Sequence, residues 1–163
     1  CLSRGLGDVY KRQVYDKNSK ILILGSFPSV KSREMKFFYG HPQNRFWKVL
    51  AELTRSECPQ TIEEKREFLI HNHIAVWDVI KSCDIIGSSD SSIKNVSVND
   101  IKNIIENSDI KAVFTNGGTA HKLYKKYMDC DYEAVKLPST SPANAAYSLD
   151  KLINEWKVIL DYL

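Results

Sequence analysis

Ile21-Leu22-Ile23-Leu24 runs straight into Gly25-Ser26-Phe27-Pro28-Ser29. A short apolar run bounded by turn formers reads as a strand that opens into a loop. The carboxyl ends of parallel strands are where an α/β sheet binds its ligand. A second run of the same build lies near the C-terminus, Leu137-Pro138-Ser139-Thr140-Ser141-Pro142-Ala143-Asn144-Ala145. Both loops belong on one face of one domain.

Strands are expected at 20–24, 74–77, 111–115 and 133–137, each short, apolar or β-branched and closed by polar residues. Helical patterns lie between them. Phe46, Val49, Leu50 and Leu53 share one side of a helix over 45–54. Thr61-x-x-Glu64 is a capping box opening a helix to Asn72, and Ser97-x-x-Asp100 is read as the start of another through Glu106. A helix over 119–128 follows Gly117-Gly118. The last helix carries Leu149, Leu152, Ile153, Trp156, Ile159, Leu160 and Leu163 at helical spacing, with Ser148 as its cap. Strands alternating with helices imply right-handed parallel crossovers, so the expected fold is α/β, three-layer α/β/α, on a four-stranded mainly parallel sheet. The run 87–92, rich in Ser, is expected to be a surface loop.

The 163 residues, 43% apolar and 26% charged, suit one soluble domain. Residues 1–13 hold no initiator Met and no periodicity, and are read as a leader foreign to the fold, leaving 14–163 as the domain. That leader carries three basic residues against one acid, so its removal lowers the net charge from +3 to +1. Bulk charge is no argument for nucleic acid, and any attraction to phosphate has to be local. Cysteines at 1, 58, 83 and 130 show no ligand spacing, so no metal, cofactor or cluster is expected and the thiols read as reduced, in a cytoplasmic protein. His71-Asn72-His73 lacks a third ligand at workable spacing. Lys94, Lys102, Lys122, Lys125 and Lys126 read as solvated helix-face charge. No apolar run approaches the roughly 20 residues of a membrane span.

Tyr39-Gly40-His41-Pro42-Gln43-Asn44-Arg45-Phe46-Trp47 is the most specific run in the chain. With the two loops it resembles the uracil-DNA glycosylase superfamily, and within it the hypoxanthine-DNA (deoxyinosine) glycosylase branch. The resemblance spans 20–163 and implies a monofunctional glycosylase that extrudes a deaminated base from DNA and hydrolyses its glycosidic bond. A uracil or G/T mismatch glycosylase is a second reading. A catalytically silent nucleic-acid-binding module of the same fold is a third.

In most branches of that family the loop after the first strand supplies a water-orienting amide or carboxylate, at the place held here by Phe27. A phenyl ring cannot orient or deprotonate water. Gly25, Ser26 and Phe27 are left to offer backbone N–H groups and an apolar wall to the base. The resemblance puts the catalytic amide at Asn44, whose alternative is an N-cap for the helix beginning beside it. Tyr39 takes the place of the aromatic on which the extruded base stacks, against the alternative of a core tyrosine. Trp47 reads as core. Asp78 stands where relatives read the base edge and could accept from the N1–H of hypoxanthine, or could be a cap or surface acid. Asn116 is a turn former first and a ligand contact second.

The second motif, with His41, implies the DNA contacts. Ser139, Thr140, Ser141, Pro142 and Asn144 form a loop expected to enter the minor groove, and His41 is expected to meet phosphate. Leu137 stands where many relatives carry His, which removes a cationic contact to the leaving base. The expected partner is DNA bearing a deaminated base, bound by a monomer.

Overall fold

The computed structural model describes residues 14–26, 38–84, 94–128 and 132–163. Phe27 and the rest of its loop, the leader, and the 87–92 run lie outside these. Four strands, β1 (Ile21–Gly25), β2 (Ile74–Asp78), β5 (Ala112–Asn116) and β6 (Ala134–Leu137), form a sheet of order β2-β1-β5-β6. All three pairings are parallel, each expected strand being present within a residue of its expected ends.

Side-chain alternation along the strands builds two cores. Ile21, Ile23, Ile74, Val76 and Phe114 pack with helices α1 (Phe46–Thr54), α2 (Ile62–His71) and α5 (Leu149–Trp156). Leu22, Leu24, Ala75 and Val113 face the other way, against α3 (Ile101–Glu106) and α4 (Gly118–Tyr127). Each face of the central strands is therefore covered, which is the three-layer arrangement and explains why β1 is apolar at successive positions. The outer edge of β2 is met by an antiparallel bridge from Val14 to Val76.

Thr61 and Glu64 close their capping box reciprocally, and Ser148 Oγ accepts from Lys151 N–H at 3.3 Å. Two expectations are corrected. The chain after β2 forms an antiparallel pair, β3 (Ile80–Asp84) with β4 (Lys94–Val98), so Ser97 lies in a strand paired to Ser82 and opens no helix. The helix starts after Asp100, whose side chain accepts from Asn103 N–H at 3.1 Å. The last helix also changes pitch, since Lys157–Tyr162 is a 3₁₀ turn. With three residues per turn Trp156 and Ile159 stay on the buried line while Leu160 swings out to 41% exposure. Leu149, at the outer end of the helix, is also exposed.

The register aligns the carboxyl ends. Gly25 pairs with Asp78, Leu24 with Thr115, and Asn116 with Leu137. The chain leaves β1 toward β2 on one side and returns to β5 on the other, so the strand order switches beside Gly25. That crevice is where a sheet of this kind takes its ligand.

Candidate active site

Asn44 closes a turn begun by His41, whose carbonyl accepts from Asn44 N–H at 2.9 Å. Its Oδ1 accepts from the Phe46 N–H at 3.0 Å and from the Thr140 hydroxyl at 2.8 Å. The capping and site readings of Asn44 thus meet in one side chain. The backbone cap position itself is Arg45, which has no side-chain cap bond. Both lone pairs of the amide oxygen are committed, and no hydrogen bond among the described residues uses Nδ2. The amide nitrogen is thus the end of the side chain with donors left to offer.

Thr140 is fully buried, and its hydroxyl is turned inward. Asn116 Nδ2 donates to Thr140 Oγ1 at 3.0 Å while Thr140 N–H donates to Asn116 Oδ1 at 3.1 Å. With its lone pair engaged by Asn116, the hydroxyl proton goes to Asn44. Asn116, Thr140 and Asn44 form a relay from the end of β5 through the second motif to the start of α1. Of the six residues expected to touch DNA, Thr140 is the one the structure places in the interior.

Arg45, which the motif reading left without a role, joins the same two segments. Its backbone N–H donates to Thr140 O at 3.0 Å, and its guanidinium donates to the carbonyls of Ser141 at 2.8 Å and Asn144 at 3.1 Å. The Tyr147 carbonyl accepts as well. A planar fork of fixed donors can hold several carbonyls at once. Arg45 therefore spends its donors on the loop rather than on phosphate. Trp156 Nε1 adds a bond to Pro138 O at 2.9 Å, anchoring the loop's other end to α5.

The loop is shaped by its own side chains. Ser139 Oγ accepts from Ser141 N–H and Ser141 Oγ from Ala143 N–H, both at 3.1 Å. Both hydroxyl protons remain available to donate outward. Asn144 Nδ2 donates to Ser139 O at 3.0 Å, so Asn144 braces the loop. His41 Nδ1 accepts from Gln43 N–H at 3.0 Å, which places the proton of the neutral ring on Nε2 as a donor. Gly117 has φ +96°, and a Cβ there would stand 3.1 Å from Ser139 Cβ. Only glycine allows β5 to turn this close to the loop.

Tyr39 and Asp78 come together at Gly25. A Cβ on Gly25 would stand 2.5 Å from Asp78 Oδ1 and 3.1 Å from the Tyr39 hydroxyl. Asp78 is 5% exposed, and its backbone carbonyl is held by Asn99 Nδ2 at 2.7 Å. That burial removes the surface-acid reading. Ser26, half-buried, continues the edge by accepting from Ile80 N–H at 3.0 Å. The Tyr39 ring stacks on Phe46 with centroids 4.0 Å apart and 22° between planes. Its hydroxyl is buried and makes no hydrogen bond among the described residues. Burial raises the phenol pKa well above its ordinary value, the negative charge of Asp78 adds to the rise, and the Asn116 side chain opposes it. Leu137 is buried in the core. Trp47 is core too, its Nε1 donating to Phe38 O at 3.3 Å.

Among the described residues no three His, Cys, Asp or Glu side chains gather as metal ligands, and no helix is long and apolar enough to cross a membrane.

The family model of the uracil DNA glycosylase superfamily matches residues 12–162. A hypoxanthine DNA glycosylase of Methanosarcina acetivorans is 34% identical over 148 residues, covering 90% of this chain and 93% of the relative. A hypoxanthine DNA glycosylase of Methanosarcina barkeri is 34% identical over 135 residues, covering 80% and 84%. The solution NMR structure of a candidate uracil DNA glycosylase from Methanosarcina acetivorans superposes with a TM-score of 0.78 at 33% identity, over 91% of this chain and 92% of that one.

Proposed function

This chain belongs to the uracil DNA glycosylase superfamily and, by likeness over most of its length, is a DNA glycosylase; we propose that the base it removes is hypoxanthine and that Asn44 holds the attacking water. The observation that carries the reading is the Thr140 to Asn44 hydrogen bond, 2.8 Å across 96 positions, which joins the two motif segments beside the carboxyl end of β5. A surface helix cap has no need of a fully buried partner from the opposite end of the chain.

In the proposed reaction the water oxygen forms a bond to C1′ as the C1′–N9 bond breaks. The bonding pair leaves with the base, which takes up a proton as the water gives one to solvent. Asn44 Nδ2 donates to the water oxygen and fixes its place, with Phe46 N–H and Thr140 preventing the amide from turning. An amide is no base near neutral pH, so the rate comes from position and from polar groups fixed before the reaction. Asp78 accepts from N1–H of the base beside Gly25 and Ser26. Tyr39, already stacked on Phe46, adds the aromatic wall.

Ser139, Ser141 and the Nε2–H of His41 supply neutral donors to the phosphates, and Pro142 stiffens the loop that replaces the extruded nucleotide. Thr140 and Asn144 act one step back, by holding that loop. No lysine stands in the register of Asn44, so the product is an abasic site without strand cleavage by the enzyme.

The test is a panel of oligonucleotides carrying hypoxanthine, uracil, xanthine or mismatched thymine, each treated with purified protein and then with alkali. Cleavage fastest at hypoxanthine is the expected result. Preference for uracil or mismatched thymine would reassign the substrate, and intact strands throughout would leave a silent binding module.

A further inference from the structure

We propose that the Tyr39 hydroxyl is a specificity-determining donor to the base: it meets the carbonyl oxygen adjacent to the ring N–H that Asp78 accepts, so that the pair selects bases with a lactam edge. The inference deepens the reading of this site as a hypoxanthine pocket and rests on it.

Two features of Tyr39 oppose folding. Its hydroxyl is buried and makes no hydrogen bond among the described residues, which costs stability. Its φ of +52° is a left-handed conformation that is strained for a bulky residue. Phenylalanine at this position would make the same stack on Phe46 and strand no polar atom. Neither packing nor the aromatic wall explains the hydroxyl; a hydrogen-bond acceptor brought by the ligand does.

Its position identifies that acceptor. The hydroxyl and Asp78 Oδ1 both crowd the space over Gly25, at the carboxyl ends of β1 and β2. The phenol can donate, and with its pKa raised it stays protonated through the working pH range. The carboxylate of Asp78 has lone pairs for more than one donor. A donor beside an acceptor complements a ring carbonyl beside a ring N–H, the edge of hypoxanthine at O6 and N1. Adenine presents an amino group and a bare nitrogen there, which sets donor against donor and acceptor against acceptor. Deamination of adenine reverses both signs at once, and deamination of cytosine does the same. The pair thus reads deamination itself; it sorts hypoxanthine and uracil from adenine and cytosine, and leaves guanine, which shares the lactam edge, to the rest of the pocket.

The test compares wild-type protein with Tyr39→Phe in single-turnover excision of hypoxanthine and of unsubstituted purine, which lacks the carbonyl, alongside thermal unfolding. The Phe variant is expected to lose roughly 10- to 100-fold on hypoxanthine, nothing on purine, and to unfold at the same temperature or higher. Equal loss on both substrates, or a lowered unfolding temperature, would show a structural hydroxyl and overturn the inference. Wild-type excision of hypoxanthine with an equally active Phe variant overturns the inference alone. A wild-type protein that leaves hypoxanthine in place overturns the reading of the site and the inference with it.

Discussion

The Thr140 hydroxyl donates to Oδ1 of Asn44 at 2.8 Å, and this bond fixes which end of the Asn44 amide keeps its hydrogen-bonding capacity. The Phe46 N–H takes the oxygen's other lone pair, so the amide cannot flip without setting its NH2 group against a backbone donor.

Thr140→Val keeps the shape and removes both the donor to Asn44 and the acceptor for Asn116. The orphaned amides should cost about 1–3 kcal/mol in stability, read by urea unfolding. Excision should fall at least tenfold, more than DNA affinity does, and Thr140→Ser should restore most of it. A Ser variant as slow as Val would mean that the methyl packing, not the hydroxyl, matters.

Arg45→Lys keeps the charge and loses the fork. Lysine cannot reach the carbonyls of Ser141, Asn144 and Tyr147 together, so the loop should loosen. The prediction is weaker binding of every DNA sequence and faster proteolysis between 139 and 147, with the salt dependence of binding unaltered. Restoration of binding by low salt alone would place Arg45 on phosphate instead.

Replacing Asp78 by Asn puts a donor where the base offers its own N1–H. Hypoxanthine excision should drop more than uracil excision, because an amide that accepts from the ring N–H can give its NH2 to the second carbonyl of uracil, O2, where hypoxanthine has only C2–H. The ratio of the two single-turnover rates is the readout; an unchanged ratio removes Asp78 from base reading.

Pro142→Gly should slow excision from paired DNA while sparing mismatched or single-stranded targets. Unstacking a paired base costs a few kcal/mol that a stiff loop helps to supply, and an unpaired base needs less of it. Equal slowing on both substrates would show that the loop does not assist extrusion.

Much of this was legible in the chain. The four sheet strands are short apolar runs closed by turn residues, and their periods and bounds carry the fold. The hairpin of Ile80–Asp84 with Lys94–Val98 was hidden, because its polar residues match a capping signal as well as a strand and its pairing partner is not local. The 3₁₀ turn was hidden too, since residues at spacing three or four fit either pitch over six positions. Within the candidate site, the motif singled out Asn44 and Tyr39, and the end of the second strand singled out Asp78. They could not show that Thr140 turns inward or that Arg45 holds carbonyls 95 to 102 positions away. Those are properties of distance in space, and a lone cation or hydroxyl in a motif carries no mark of the direction it faces.

The central claim is that Asn44 acts on water at the glycosidic bond, and single-turnover excision of hypoxanthine by Asn44→Ala tests it most directly. The variant loses the turn bond to Phe46, a cost of about 1 kcal/mol, and leaves the buried Thr140 hydroxyl without its acceptor, a further cost of about 1–3 kcal/mol, so urea unfolding accompanies the assay; the folded variant should bind hypoxanthine-containing DNA as tightly as the wild type. Its excision rate should be lower by roughly 100- to 1,000-fold, the loss that follows removal of one preorganised polar group at a reacting centre. A folded Asn44→Ala protein that excises hypoxanthine at the wild-type rate would contradict the claim and return Asn44 to helix capping.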